Sequence, residues 1–176
     1  MKLKNKVCYV AGGTGKVGKG IVREFLNEEA YVIISSRFKE KLENLEKIFS
    51  NEKLFFICEN IGSEEGAEKI KNYILDRFNE IDVVVASIGS WWSGKKNYRF
   101  RFKNLRRSNV SKTNNTFEIM LTKVLYEELN NIRINEVLLP PVGQKITEND
   151  IGKFLAYLCS DEAYMINGQI ISLYGD

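Results

Sequence analysis

Four short apolar runs, Val7 to Ala11, Tyr31 to Ser35, Leu54 to Cys58 and Ile81 to Ala86, punctuate the amino-terminal half of the chain, and none alternates apolar with polar residues. A strand with one wet face alternates. An unbroken apolar strand is buried on both faces, as happens in parallel sheets covered by helices. The intervening segments supply those helices: Val17, Ile21, Val22, Phe25 and Leu26 recur at helical spacing, as do Leu42, Leu45, Ile48 and Phe49, and again Ile70, Tyr73, Ile74 and Phe78. Ser63, between Gly62 and Glu64-Glu65, marks a helix start with acidic residues at the positive end of the dipole. Strand and helix alternating at this length predict an α/β fold, a doubly wound parallel sheet in a single domain spanning residues 1–176.

The alternation lapses from Ser90 to Thr116. There Trp91 and Trp92 precede Lys95, Lys96, Arg99, Arg101, Lys103, Arg106, Arg107 and Lys112, with no acidic residue among them. The segment 90–116 therefore reads as an irregular basic stretch within the domain. Periodicity returns at Phe117 to Leu129, a predicted helix, and Ile132 to Leu139 reads as a strand stopped by Pro140 and Pro141. A helix over about 148–160, capped by Thr147 or Asn149, and a strand from Gln169 to Tyr174 close the pattern.

Composition narrows the function classes. With 26 basic and 23 acidic residues, the formal charge of +3 is too balanced to demand a polyanionic partner. No run approaches the ~18 apolar residues of a membrane span, and the basic start leads into too short an apolar stretch for a signal peptide, so the expectation is a cytoplasmic protein without membrane contact. The three cysteines, Cys8, Cys58 and Cys159, are far apart and lie in apolar runs, which predicts buried thiols rather than a disulfide or metal site. Zero histidine removes the commonest zinc ligand and the usual general base of nucleophilic catalysis. No metal site is expected.

Between the first strand and first helix stands Ala11-Gly12-Gly13-Thr14-Gly15-Lys16-Val17-Gly18, which satisfies G-x-G-x-x-G through Gly13, Gly15 and Gly18 and G-x-x-G-x-x-G through Gly12, Gly15 and Gly18. Such a string is weak alone. After an apolar strand and before an amphipathic helix, it is a turn where glycines let a pyrophosphate reach backbone amides at a positive helix end. Nineteen residues after Gly18, the second strand ends in Ser35-Ser36-Arg37, where an NAD-preferring site carries a carboxylate for the ribose. Arginine instead offers a planar donor fork suited to phosphate, so Arg37, helped by Ser36 and Lys39, favours NADP and disfavours NAD.

These segments resemble the short-chain dehydrogenase/reductase family, single-domain Rossmann enzymes that use nicotinamide cofactors on carbonyls and alcohols. The glycine turn matches, and Asn60-Ile61 stands where the family usually has an Asp that contacts adenine. Asp82 to Gly89 resembles the family's fourth strand with its Asn-Asn-Ala-Gly motif, of which only the closing Gly89 is retained. Leu121 to Leu129 is similar to its long sixth helix, Asn131 to Val137 to the following strand, and Asn167 to Gly175 to the last strand. The resemblance implies cofactor contacts at Gly12, Gly13, Thr14, Gly15, Val17, Gly18, Ser36, Arg37, Asn60, Ile61, Ser87 and Gly89.

The middle departs from the family. Between Gly89 and Phe117 there is no room for both a helix and a fifth strand, so the fold is expected to be truncated relative to a full member. The family's proton chemistry rests on Ser, Tyr and Lys, the last two as Tyr-x-x-x-Lys, where lysine lowers the phenol pKa. Counting back from Leu121 without gaps puts Ser111 at the tyrosine position and Asn115 at the lysine position; a three-residue insertion keeps Lys112 as the lysine but leaves Ser108 for the tyrosine. Tyr98 is followed four residues later by Phe102. The weak catalytic candidates are Tyr98, Ser111 and Lys112, and the leading expectation is an NADP(H)-binding protein of this family with weak or no turnover on a small carbonyl or alcohol.

Two other readings stand beside it. One is an active reductase whose site is rebuilt or completed by a partner subunit, in keeping with a homo-oligomer that covers Trp91 and Trp92. The other is nucleic-acid binding through the basic, aromatic segment 95–112, which is disfavoured because such charge runs are usually solvated loops.

Overall fold

The computed structural model describes residues 1–87, 132–139 and 146–173. They belong to two compact units, one drawn from residues 1–87 and 146–163 and the other from residues 132–139 and 164–173.

In the first unit, β1 (Val7–Ala11), β2 (Tyr31–Ser35), β3 (Leu54–Ile57) and β4 (Val83–Ala86) form a parallel sheet in the order β3-β2-β1-β4. Helices α1 (Lys16–Asn27), α2 (Lys39–Phe49) and α3 (Glu64–Phe78) make the crossovers. All of β1 is buried, and its side chains divide between two cores as the pleat requires. Cys8 and Val10 join Ile21, Val22, Phe25, Leu42 and Leu45 on one face, while Val7, Tyr9 and Ala11 meet Ile70 and Ile74 on the other. The doubly wound parallel sheet read from the non-alternating runs is the observed architecture. Phe25, fully buried in α1, anchors the first core, and its truncation to Ala carries the ~3–5 kcal/mol loss typical of large-to-small core changes.

Helix α4 (Glu148–Leu158), followed by a 3-10 turn at Asp161–Ala163, lies against α1. The approach is close enough to require glycine on both sides. A Cβ on Gly20 would lie 2.1 Å from the Glu148 carbonyl oxygen, and one on Gly152 would lie 2.4 Å from the Gly20 carbonyl oxygen. Arg23 Nη1 donates to Asn149 Oδ1 at 3.0 Å across the same crossing. Asn149 is therefore no cap; the Thr147 side chain accepts from Asp150 N, and the Asp150 carboxylate accepts from Thr147 N in return. Ser63 caps α3 as expected, accepting from Gly66 N at 3.1 Å.

The second unit pairs β5 (Glu136–Leu138) with β6 (Ile170–Ser172) in parallel. Both are shorter than the sequence pattern suggested. Ahead of β5, Ile134 N donates to Asn167 Oδ1 and Ile134 O accepts from Gly168 N, so this stretch is tied to the turn rather than extending the ladder.

Other expectations need correction. Cys8 is buried, but Cys58 is exposed because β3 stops at Ile57, and Cys159 is half-buried beyond the end of α4. Ile48, expected on the apolar stripe of α2, is 54% exposed, because Leu42, Leu45 and Phe49 fill the side that faces the core. Strand β4 begins at Val83, since Asp82 uses its carboxylate to accept from Val7 N at 2.7 Å. The expected helix at 117–129 and the basic segment 90–116 lie outside the described residues. No helix among the described residues is long and apolar enough to cross a membrane.

Candidate functional site

The register brings the carboxyl ends of the four parallel strands level. Ala11 is opposite both Ser35 and Ala86, and Ser35 is opposite Ile57. The ladder runs one residue further, with Ser36 N donating to Ile57 O at 3.2 Å and Ser87 N to Ala11 O at 2.8 Å. Gly12, Ser36 and Ser87 therefore emerge side by side from one edge of the sheet, with Asn60 and Ile61 a short turn beyond β3. The chain moves from β1 toward β3 on one side and to β4 on the other. The crevice outside β1 and β4 is thus the switch point at which open α/β sheets take ligands.

Within the glycine turn the four glycines have different jobs. Gly12 has φ 86°, in the left-handed region that glycine reaches without penalty, and its carbonyl accepts from Gly15 N at 2.9 Å to close the turn. Gly13 is buried, and a Cβ there would meet Ile34 side-chain carbons at 2.9 to 3.1 Å. Gly18 is buried against the turn itself, its imaginary Cβ 2.2 Å from Gly12 O and 2.7 Å from Gly13 Cα. Gly15 differs. It is exposed, it caps α1 with extended backbone, and among the described residues a Cβ there would touch only Gly12 O, at 3.3 Å. Gly13 and Gly18 thus hold the helix to the strand, while Gly15 leaves the helix amino terminus open to approach, with half-buried Thr14 and Val17 on either side.

Next to the turn, Ser36 Oγ accepts from Phe38 N at 3.1 Å, and exposed Arg37 stacks its guanidinium 5.2 Å from the Phe38 ring centroid. No ion pair is formed by Arg37 among the described residues. Lys39, expected to assist it, is directed instead to Glu43 at 3.6 Å, while Lys41 lies 5.0 Å from the same Phe38 ring. Sequence reading missed both Phe38 and Lys41; the available signal was the four-residue spacing from Arg37 to Lys41 around an aromatic.

Asn60 accepts from Gly62 N through Oδ1 at 3.1 Å, and its carbonyl accepts from Ser63 N and Oγ, so its oxygens build the turn into α3. Ile61 packs on the Val7, Tyr9 and Ala11 core. Below the site, Tyr9 Oη and Ser35 Oγ are 2.6 Å apart and buried. Burial pushes the Tyr9 phenol above its usual range, with the Ser35 hydrogen bond opposing, so this phenol is a neutral structural group and not an accessible acid. Gly89, Tyr98, Ser111 and Lys112 lie outside the described residues.

The short chain dehydrogenase family model matches residues 6–131. The chain belongs to that family. Among curated relatives, this short-chain dehydrogenase chain is 29% identical over 93 residues to an uncharacterized oxidoreductase, YvaG, of Bacillus subtilis, covering 51% of this chain and 34% of the relative. It is 28% identical over 91 residues to cis-2,3-dihydrobiphenyl-2,3-diol dehydrogenase of Paraburkholderia xenovorans, covering 52% and 32%. An uncharacterized oxidoreductase of Staphylococcus aureus is 27% identical over 93 residues, 53% of this chain and 40% of the relative. The matched stretch thus spans two fifths or less of these relatives. Among solved structures, a short-chain dehydrogenase/reductase of Serratia marcescens superposes with TM-score 0.79 at 17% identity, covering 99% of this chain and 98% of that one. The Pseudomonas aeruginosa RhlG/NADP active-site complex superposes with TM-score 0.78 at 16% identity, covering 99% and 96%. The shared Rossmann fold accounts for the similarity at such low identity.

Proposed function

We propose that this short-chain dehydrogenase chain binds NADP(H) in preference to NAD(H) and turns over carbonyls or alcohols weakly or not at all. The observation that carries the cofactor half is the helix terminus at Gly15 at the same end of the sheet as an exposed Arg37 that forms no ion pair among the described residues. When bound, the cofactor supplies or accepts a hydride. The α1 amino terminus and the Gly12 to Gly15 turn would hold the pyrophosphate through backbone amides, because Gly15 carries no side chain to block them. Arg37 and Ser36 would take the ribose phosphate. Ile61 would offer an apolar wall to the adenine, and Ser87 stands at the crevice edge. Asn60 fits the family's adenine-contacting acceptor poorly, since its oxygen is already occupied by Gly62 N.

The catalytic half rests on sequence. No tyrosine in the chain is followed four residues later by lysine, so the family's phenol, held at a lowered pKa by a lysine one helical turn away, has no counterpart. A serine such as Ser111 could orient a carbonyl but is too weak an acid to protonate the alkoxide. Calorimetric titration with NADPH and NADH tests the cofactor reading: the wild-type chain should prefer NADPH, and Arg37→Glu should lower that preference about tenfold or more, the worth of a hydrogen bond to a charged group. A preference that does not move toward NADH removes Arg37 from the site.

A further inference from the structure

Phe38 organises a pair of cations that no carboxylate among the described residues pairs with. Its ring is 51% exposed at the amino-terminal cap of α2. The Arg37 guanidinium and the Lys41 ammonium lie 5.2 Å and 5.0 Å from its centroid, both within cation–π range. The backbone under them is tied down, since Phe38 N donates to Ser36 Oγ and Lys41 N donates to Phe38 O at 3.2 Å. Lys39, two residues from Arg37 and Lys41 at the start of α2, is neutralised by Glu43. Arg37 and Lys41 form no ion pair among the described residues.

Two like charges on one exposed ring repel each other, and an aromatic face only partly offsets that repulsion. A dianionic group between them removes it. A phosphate accepts a planar fork from Arg and a point charge from Lys, and the Ser36 hydroxyl, which accepts from Phe38 N, still has its own proton to donate. We infer that Lys41, held with Arg37 on the Phe38 ring, is a second specificity-determining cation for the ribose phosphate of NADP(H), and that Phe38 is the positioning residue for both. The inference rests on the NADP(H) reading above and replaces Lys39 with Lys41 as the helper.

The test measures dissociation constants for NADPH and NADH on the whole chain by calorimetry, with thermal unfolding as the check on folding. Lys41→Ala should weaken NADPH binding about fivefold and leave NADH within about twofold, the size of an exposed charge pair. Lys41→Arg should restore NADPH binding. Lys47→Ala, which removes the same charge from the last turn of α2, should move neither constant. Phe38→Leu, which keeps both charges but removes the aromatic face, should weaken NADPH selectively, and Phe38→Tyr should not. If Arg37→Glu lowers the preference for NADPH while Lys41→Ala leaves it unchanged, or if Lys47→Ala matches Lys41→Ala, this inference fails and the reading of Arg37 stands. If wild-type chain shows no preference for NADPH, both fail together.

Discussion

Gly15 and Gly18 are interchangeable in the sequence motif but opposite in the structure, and alanine at each separates ligand approach from packing. At Gly18 a Cβ would sit 2.2 Å from Gly12 O, 2.7 Å from Gly13 Cα and 2.8 Å from Gly12 C. All three atoms are backbone, so no rotamer change can relieve the clash and the turn must move. Overpacking of this kind costs about 1–3 kcal/mol or more, and for a chain this size each kcal/mol lowers Tm by about 2–4 °C. Gly18→Ala should therefore lower Tm by about 2–12 °C or more. At Gly15 the only neighbour among the described residues is Gly12 O at 3.3 Å, and the backbone, φ −76° and ψ 172°, suits any L residue. Alanine there gains about 0.4–1 kcal/mol from a stiffer unfolded chain and loses a similar amount as a poorer cap, so Tm should change by no more than about 2 °C. Its Cβ instead projects into the open mouth, and a clash of ~1–3 kcal/mol with a seated pyrophosphate weakens dinucleotide binding about 5- to 150-fold. Scanning calorimetry gives Tm and titration calorimetry gives affinity for each variant. A folded Gly15→Ala or Gly15→Val protein that binds NADPH undiminished would refute the assignment of this turn to the cofactor, and a Gly18→Ala protein as stable as wild type would refute the packing argument.

A panel of ketones, aldehydes and alcohols assayed with NADPH or NADP should show turnover far below the ~10 s⁻¹ median for enzymes, because general acid catalysis worth about 10²–10⁴ in rate has no tyrosine–lysine pair to supply it; turnover near that median, lost in Tyr98→Phe, would identify a rebuilt acid. Thr147→Ala should lower α4 stability by about 1 kcal/mol through loss of its cap, read as a drop in Tm. In wild-type protein the Thr147 hydroxyl, and secondly its backbone amide, hold the Asp150 carboxyl below its usual range, so this contribution is present above the ordinary aspartate pKa and is lost as pH falls through the lowered folded value; acid titration of Tm in Thr147→Ala should lose the hydroxyl's part of that component and keep the part from the backbone amide. Gly152→Leu should unfold the first unit or expel α4 from α1, since even a Cβ there lies 2.4 Å from Gly20 O; a Tm within about 2 °C of wild type would mean that the crossing is not close-packed.

Local chemistry made β1 to β4 and α1 to α3 legible, because a both-face-buried strand must be apolar without alternation and a crossover helix must repeat near 3.6 residues. The glycine turn was legible for the same reason: it depends on backbone freedom at one place in the chain. What the motif did not distinguish was the work of each glycine, since Gly18 is defined by the atoms of Gly12 and Gly13 folded back on it and Gly20 by a helix more than a hundred residues away. Nor did spacing show which lysine accompanies Arg37. Lys39 and Lys41 are both near it in sequence, and only the start of α2 directs one to Glu43 and the other onto Phe38. Nor did the sequence show that the oxygens of Asn60 build the turn into α3. Sequence by itself determined the strand and helix alternation, the family and the lack of a Tyr-x-x-x-Lys pair, because these are patterns along the chain. Tertiary structure decided which residues share the crevice and which are occupied within the fold, because a hydrogen bond or a clash depends on distances that only the folded chain sets.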